Sequence, residues 1–190
     1  MTQAADSGTS LGRLAALIAD QKLPPVEKWH PERCGHSDMR IARDGTWFYQ
    51  GSPIGRPAMV KLFSTVLRRE PDGSHVLVTP VEKLDIDVED APFIATLVTS
   101  EGEGRARQLG FTLNTGDAVI AGPDNRLWVE QGEGGEPRPY IHVRRGLDAL
   151  IARSVYYELA ELALAEDNDA IGLWSGGMFF PLDAGSTNAA

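Results

Sequence analysis

His30, Glu32, Cys34, His36 and Asp38 fall within nine residues of one another, in the stretch WHPERCGHSD. Thiolate, imidazole and carboxylate are the groups that hold zinc or iron, and a cysteine with a histidine is also the pairing of a thiol nucleophile with its base. The spacing argues against a metal. Four ligands from so short a stretch would be strained, and zinc sites usually draw on two separated pairs. Cys34 is the single cysteine, and His75 and His142 belong to no paired motif, so neither a metal nor a cofactor is expected. A nucleophile and its base meet in space rather than in sequence. The expected role of Cys34 is therefore that of a buried small hydrophobe.

A second chemistry is anion binding. The loop GSPIGRP feeds the helical pattern AMVKLFSTVLRR. A helix N-terminus presents unpaired N–H groups, and Arg56 and Lys61 would add charge to a phosphate or carboxylate held there, with Ser52 in the preceding loop. No Gly-Lys-Ser/Thr follows the second glycine, and the spacing of the dinucleotide fingerprint is absent. Turn chemistry alone also accounts for Gly51, Gly55 and Pro57. In IHVRRG, if Ile141 and Val143 face the core, His142 and Arg144 share the opposite, polar face of a strand. Arg144 is the candidate from the second half of the chain. The expected ligand-binding residues are thus Ser52, Arg56, Lys61 and Arg144, and no catalytic residue is assigned. Glu82 and Lys83 read as a solvated turn with one strand salt bridge. Trp47, Phe48 and Tyr49, and later Trp174, Phe179 and Phe180, read as core.

These residues need elements to carry them. Ser10 caps a short helix with an apolar face of Leu11, Leu14, Leu17 and Ile18. MRIA and TWFYQ read as strands joined by the turn RDG. Met59, Leu62, Phe63, Val66 and Leu67 recur at helical spacing, with Pro57 at the start and Arg68 and Arg69 at the negative end of the dipole. Leu84, Ile86 and Val88 alternate with charges, as in a half-buried strand. PFIATLVTS and RQLGFTL pair across EGEG. AVIA, RLWVEQ and YIHVR are further strands. A long helix is expected over about Leu147 to Ala165, and a hairpin closes the chain around Gly176-Gly177.

In order, the elements repeat: strand, turn, strand, helix, strand, turn, strand, twice over. Ile41-Ala42, Asp44, Trp47 and Gln50-Gly51 echo Ile120-Ala121, Asp124, Trp128 and Gln131-Gly132. The expected organisation is a tail and short helix over 1–21, a first α/β subdomain over 22–90, a second over 91–183 and a disordered tail over 184–190. A small-molecule site would lie at the junction of the two subdomains.

The totals narrow the partners. A chain of 190 residues with 42% apolar and 24% charged residues supports a proper core without staples. Eighteen basic against 27 acidic residues leave a net charge of −9. That field repels phosphate backbones and anionic membranes, so neither nucleic acid nor a membrane is an expected partner. One cysteine fits a reducing cytoplasm, and LAALIA is too short for a signal core or a membrane span.

The stretches DMRIARDGTWFYQGSPIGRP, LFSTVLRR, LVTPVEK, DAPF, RPYIHVRRGL, YYEL and GLWSGGMFFPL, spread over Lys22 to Leu182, resemble those of a bacterial family, the domain-of-unknown-function family twelve-eighty-five. The resemblance implies two α/β subdomains (α+β in type) of repeated architecture, similar to the zinc-binding C1 modules of lipid signalling but without their metal. It also implies a role in signal transduction, by analogy of fold. It supplies no catalytic residue. The lone cysteine agrees with the missing zinc.

The functional expectation is a non-enzymatic binding or regulatory protein of the cytoplasm, recognising a small anionic ligand or a protein partner at the subdomain junction. The rival is a hydrolase-like enzyme using Cys34 or His36. A third reading is a structural or assembly protein that forms a homodimer through an exposed apolar patch.

Overall fold

The computed structural model describes residues 10–166 and 170–184, so the tail expected at 1–9 and all but the first residue of that expected at 184–190 lie outside it. Helix α1 (Ser10–Asp20) leads into an extended segment and then the first sheet. Its strands are β1 (Cys34–Ile41), β2 (Trp47–Tyr49), β3 (Ser52–Pro53), β4 (Leu67–Arg69), β5 (His75–Val78) and β6 (Lys83–Val88), with helix α2 (Pro57–Thr65) between β3 and β4. The second sheet comprises β7 (Phe93–Glu101), β8 (Gln108–Leu113), β9 (Ala118–Ile120), β10 (Leu127–Gln131), β11 (Pro137–Arg144) and β12 (Leu147–Ile151). Helix α3 (Arg153–Ala165) and the hairpin of β13 (Gly172–Ser175) with β14 (Met178–Pro181) complete the fold. Among the described residues, no helix is long and apolar enough to cross a membrane.

The two six-stranded sheets share one topology. Their orders are β3-β2-β1-β6-β5-β4 and β10-β11-β12-β7-β8-β9. In each, three strands wind from the centre to one edge, the chain crosses to the other edge, and three strands return to the centre. The meeting pair is parallel in both sheets, β1 with β6 and β12 with β7, while the other ladders are antiparallel. This is an α+β fold with a two-domain repeat.

The repeat is one of topology and not of the residues that suggested it. Ile41 and Trp47 face each other in the β1–β2 hairpin. Ile120 ends β9 and Trp128 lies on β10, at opposite edges of the second sheet. The helices differ too. The first sheet carries α2 in its crossover, whereas the second crosses without an α-helix and α3 follows its last strand.

Two boundaries depart from the helical periodicities. Leu147 to Ile151 form the central strand β12, with Leu147, Ala149 and Ile151 buried and Asp148 and Leu150 less so. Leu147, Leu150 and Ile151 suit a helix face, but the alternation suits a strand equally, and pairing with both β11 and β7 decides the matter. Likewise α2 stops at Thr65. Arg68 and Arg69 therefore stand on β4, paired with Val76 and His75, and not at a helix end.

One continuous apolar cluster runs through both sheets, from Met39, Ile41, Trp47 and Leu67 to Phe93, Phe111, Ile141 and Leu159. The alternation of the aromatic strands sorts their residues: Trp47 and Phe180 are buried, Phe48, Trp174 and Phe179 are partly covered, and Tyr49 is exposed. Helix α1 lies over β8, where Gly110 allows close approach. A Cβ there would stand 2.7 Å from Leu14 Cδ1 and 2.8 Å from Leu11 Cδ1.

Candidate functional site

The four expected ligand residues do not surround one point. Ser52 lies exposed on β3 opposite Tyr49, and Arg56 occupies the N-cap position of α2, also exposed. Lys61 lies one turn further along α2 and lines a shallow cavity of about 250 Å³ together with Leu17, Gln21 and Asp117. Arg144 reaches the far end of the same helix, where its Nη2 donates to the Ser64 carbonyl oxygen at 3.0 Å. Its Nη1 stands 3.8 Å from Asp117 Oδ2. Asp117 thus lines the cavity beside Lys61 and faces Arg144, while Ser52 and Arg56 stay at the opposite end of α2.

Arg144 also lies on the other side of its strand from the side expected. His142 pairs with Asp148, but Arg144 pairs with Leu147, so one extra residue bulges at Val143. A bulge reverses the facing of everything after it. His142 therefore keeps to the face of Asp148, its Nδ1 2.8 Å from Asp148 Oδ1. Arg144 turns in over the Phe93 ring, 5.0 Å from its centroid. Arg145 and Gly146, both at positive φ, then close a two-residue hairpin turn of the type that such φ values require.

Cys34 is exposed, contrary to the buried role expected of it. The first half of β1 projects beyond the covered part of the sheet, and burial begins at Ser37. His36 Nδ1 accepts the Asp38 N–H at 3.0 Å. Among the described residues, no three His, Cys, Asp or Glu side chains are grouped to hold a metal ion.

Two cavities lie where the subdomains meet. The smaller, about 160 Å³, is bounded by Arg69 and His75 of the first sheet, by Asp90, Ala91 and Pro92 of the connection between β6 and β7, and by Trp128, Tyr140 and Asp148 of the second. Arg69 closes one side, donating to the Gly146 carbonyl oxygen at 3.2 Å. Burial, reinforced by the Arg69 charge, holds the His75 imidazole below its ordinary pKa. Trp128 stacks on Tyr140 with ring centroids 5.6 Å apart. The Tyr140 hydroxyl donates to Asp90 Oδ1 at 2.9 Å, and Arg138 pairs with the other oxygen of that carboxylate. Burial and the Asp90 carboxylate push the Tyr140 hydroxyl well above its usual range.

The larger cavity is an open groove of about 520 Å³. Arg43 reaches it from the β1–β2 turn, Arg138 from β11, and Arg153 and the Tyr156 and Tyr157 rings from the first turns of α3. Residue Ala152 precedes α3, so no side chain caps the helix, and its first turn holds no acidic residue. The Tyr156 N–H is bonded to the Ala152 carbonyl oxygen at 2.9 Å, while the three N–H groups before it are the ones a helix leaves unpaired. Glu136 meets Arg153 at 3.3 Å, but both side chains are about 70% exposed, so water weakens that pair. The sequence suggests such a helix start at α2, beside Ser52, Arg56 and Lys61. The same chemistry stands at α3, assembled from three separated segments.

The family models match in two consecutive blocks. The N-terminal domain of the domain of unknown function DUF1285 matches residues 24–91, and the C-terminal domain of the protein of unknown function DUF1285 matches residues 92–182. The chain belongs to the DUF1285 family. The junction between the two DUF1285 blocks falls in the connection that carries Asp90. A DUF1285 family protein from Silicibacter pomeroyi DSS-3, solved as a crystal structure, is 51% identical over 92% of this chain and 94% of its own, with a TM-score of 0.80. Another from Shewanella baltica OS155 shares 24% identity over 65% of this chain and 91% of its own, with a TM-score of 0.51, and so supports the fold alone. No curated protein matches the chain.

Proposed function

We propose that this DUF1285 protein is a non-enzymatic binding protein of the cytoplasm with a regulatory role, possessing a site for a small anion-bearing molecule in the groove at the start of α3. The observation that supports this most is that Arg43, Arg138 and Arg153, from both subdomains, line one groove with the uncapped start of α3, beside Glu133 and Glu136. Guanidinium groups and unpaired helix N–H groups both favour phosphate or carboxylate. A volume of about 520 Å³ falls in the range of small-molecule sites, and the tyrosine rings offer an apolar wall beside the charges. The residues lining the groove include no serine, threonine, cysteine, histidine or lysine.

The test uses inorganic pyrophosphate as the probe, titrated into isotopically labelled protein against sodium chloride of equal ionic strength. The backbone amide resonances of Arg153 to Tyr156 should move in a saturable way with pyrophosphate only. If the amides of Ala58 to Lys61 move instead, the anion site belongs to α2, with Ser52, Arg56 and Lys61 around it. If neither set moves, the anion reading fails.

A further inference from the structure

Asp90 belongs to the connection between the subdomains, two residues after β6 ends and three before β7 begins. Its carboxylate is held by two residues of β11, the Arg138 guanidinium at one oxygen and the Tyr140 hydroxyl at the other. Those partners face different spaces. Arg138 lines the groove at α3, whereas Asp90 and Tyr140 line the smaller junction cavity. The Asp90–Arg138 pair therefore links the linings of the two cavities, and it is also a tie between the connection and the second sheet. The Asp90 side chain is only 12% exposed and that of Arg138 only 31%, so the pair is shielded from water more than a surface bridge is.

We propose that Asp90 couples anion binding in the groove to the connection between the subdomains. An anion engaging Arg138 does so in competition with the Asp90 carboxylate, because both are acceptors for one guanidinium and repel each other at short range. When the anion wins, Asp90 loosens from β11, the Tyr140 hydroxyl loses its fixed acceptor, and the change reaches Trp128 through the stacked rings. The effect is reciprocal: whatever holds Asp90 against Arg138 weakens the anion, and whatever removes the Asp90 charge strengthens it. This inference rests on the groove being the anion site.

The experiment extends the pyrophosphate titration to three readouts on the full chain: the amides of Arg153 to Tyr156, the Trp128 indole N–H, and hydrogen exchange at Asp90 and Ala91. Coupling is expected to shift the indole resonance and speed exchange at Asp90 and Ala91, with the same midpoint as the groove amides. Asp90→Asn should tighten pyrophosphate by about 5-fold or more, and should uncouple the indole from the groove. Groove amides that move while the indole and the connection stay unchanged overturn the coupling and leave the groove reading standing. So does an Asp90→Asn protein that binds pyrophosphate no more tightly, as a merely structural aspartate would. Groove amides that stay still overturn both. The wild-type titration decides the matter even if the variant does not fold.

Discussion

The Arg144 guanidinium donates to the Ser64 carbonyl oxygen at 3.0 Å across 80 positions of the chain, and faces the Asp117 carboxylate from its other nitrogen at 3.8 Å. One side chain thereby fastens the end of α2 in the first subdomain to β11 and to the β8–β9 turn of the second. Only 13% of the Arg144 side chain and 4% of that of Asp117 are exposed.

Breaking this contact from one side leaves a buried charge uncompensated. Arg144→Met should cost about 3–5 kcal/mol, read from urea denaturation. Adding Asp117→Asn to it should restore part of the loss, because the orphaned carboxylate is then gone. A loss below about 1 kcal/mol for Arg144→Met would show that the residue acts as an exposed one.

Stability should also depend on His75. Burial first, and then Arg69, keep its imidazole below the ordinary value of 6.5 in the folded state. The unfolded chain therefore binds the proton more readily, so stability is complete above that value and falls as the pH drops below it. His75→Gln should flatten the slope of unfolding free energy below about pH 6.5. An unchanged slope in the variant would mean that other groups govern this window.

Gly110→Ala tests how α1 is seated. The added Cβ would approach Leu11 and Leu14 to less than 3 Å, so the helix must shift or the side chains must change rotamer. The expected cost is about 1–3 kcal/mol, with faster proteolysis in α1 than in β8. A variant as stable as the parent would mean that α1 adjusts freely over the sheet.

Two arginine exchanges separate the candidate anion sites. Arg153→Ala should weaken pyrophosphate by about 10-fold, as expected for one charge-assisted contact of roughly 1.5 kcal/mol, and leave the melting temperature nearly unchanged because the side chain is exposed. Arg56→Ala should leave the affinity as it is. The reverse outcome, measured by calorimetry, would move the site to α2.

Much of the architecture could be read along the chain. Strict alternation in Leu84, Ile86 and Val88, the EGEG turn between two β-rich runs, and the Gly176-Gly177 pair each mark their strands. Local turn chemistry and side-chain period suffice for such elements, because they depend on neighbours only a few residues away. The order of elements also pointed to a duplication, and the two sheets carry one.

The rest depended on partners distant in sequence. LDALI satisfies both periods, and only the ladders to β7 and β11 make it a strand. A single bulged residue at Val143 sends Arg144 into the subdomain seam, and no local signal announces such an insertion. The groove brings Arg43 to Arg138 and Arg153, which lie about a hundred residues further along the chain. Composition and periodicity determined most of the strands, the turns and the acidic, cysteine-poor character of this protein. Strand pairing alone decided which charges face one another, because side-chain facing in a sheet follows register and register is set by the whole fold.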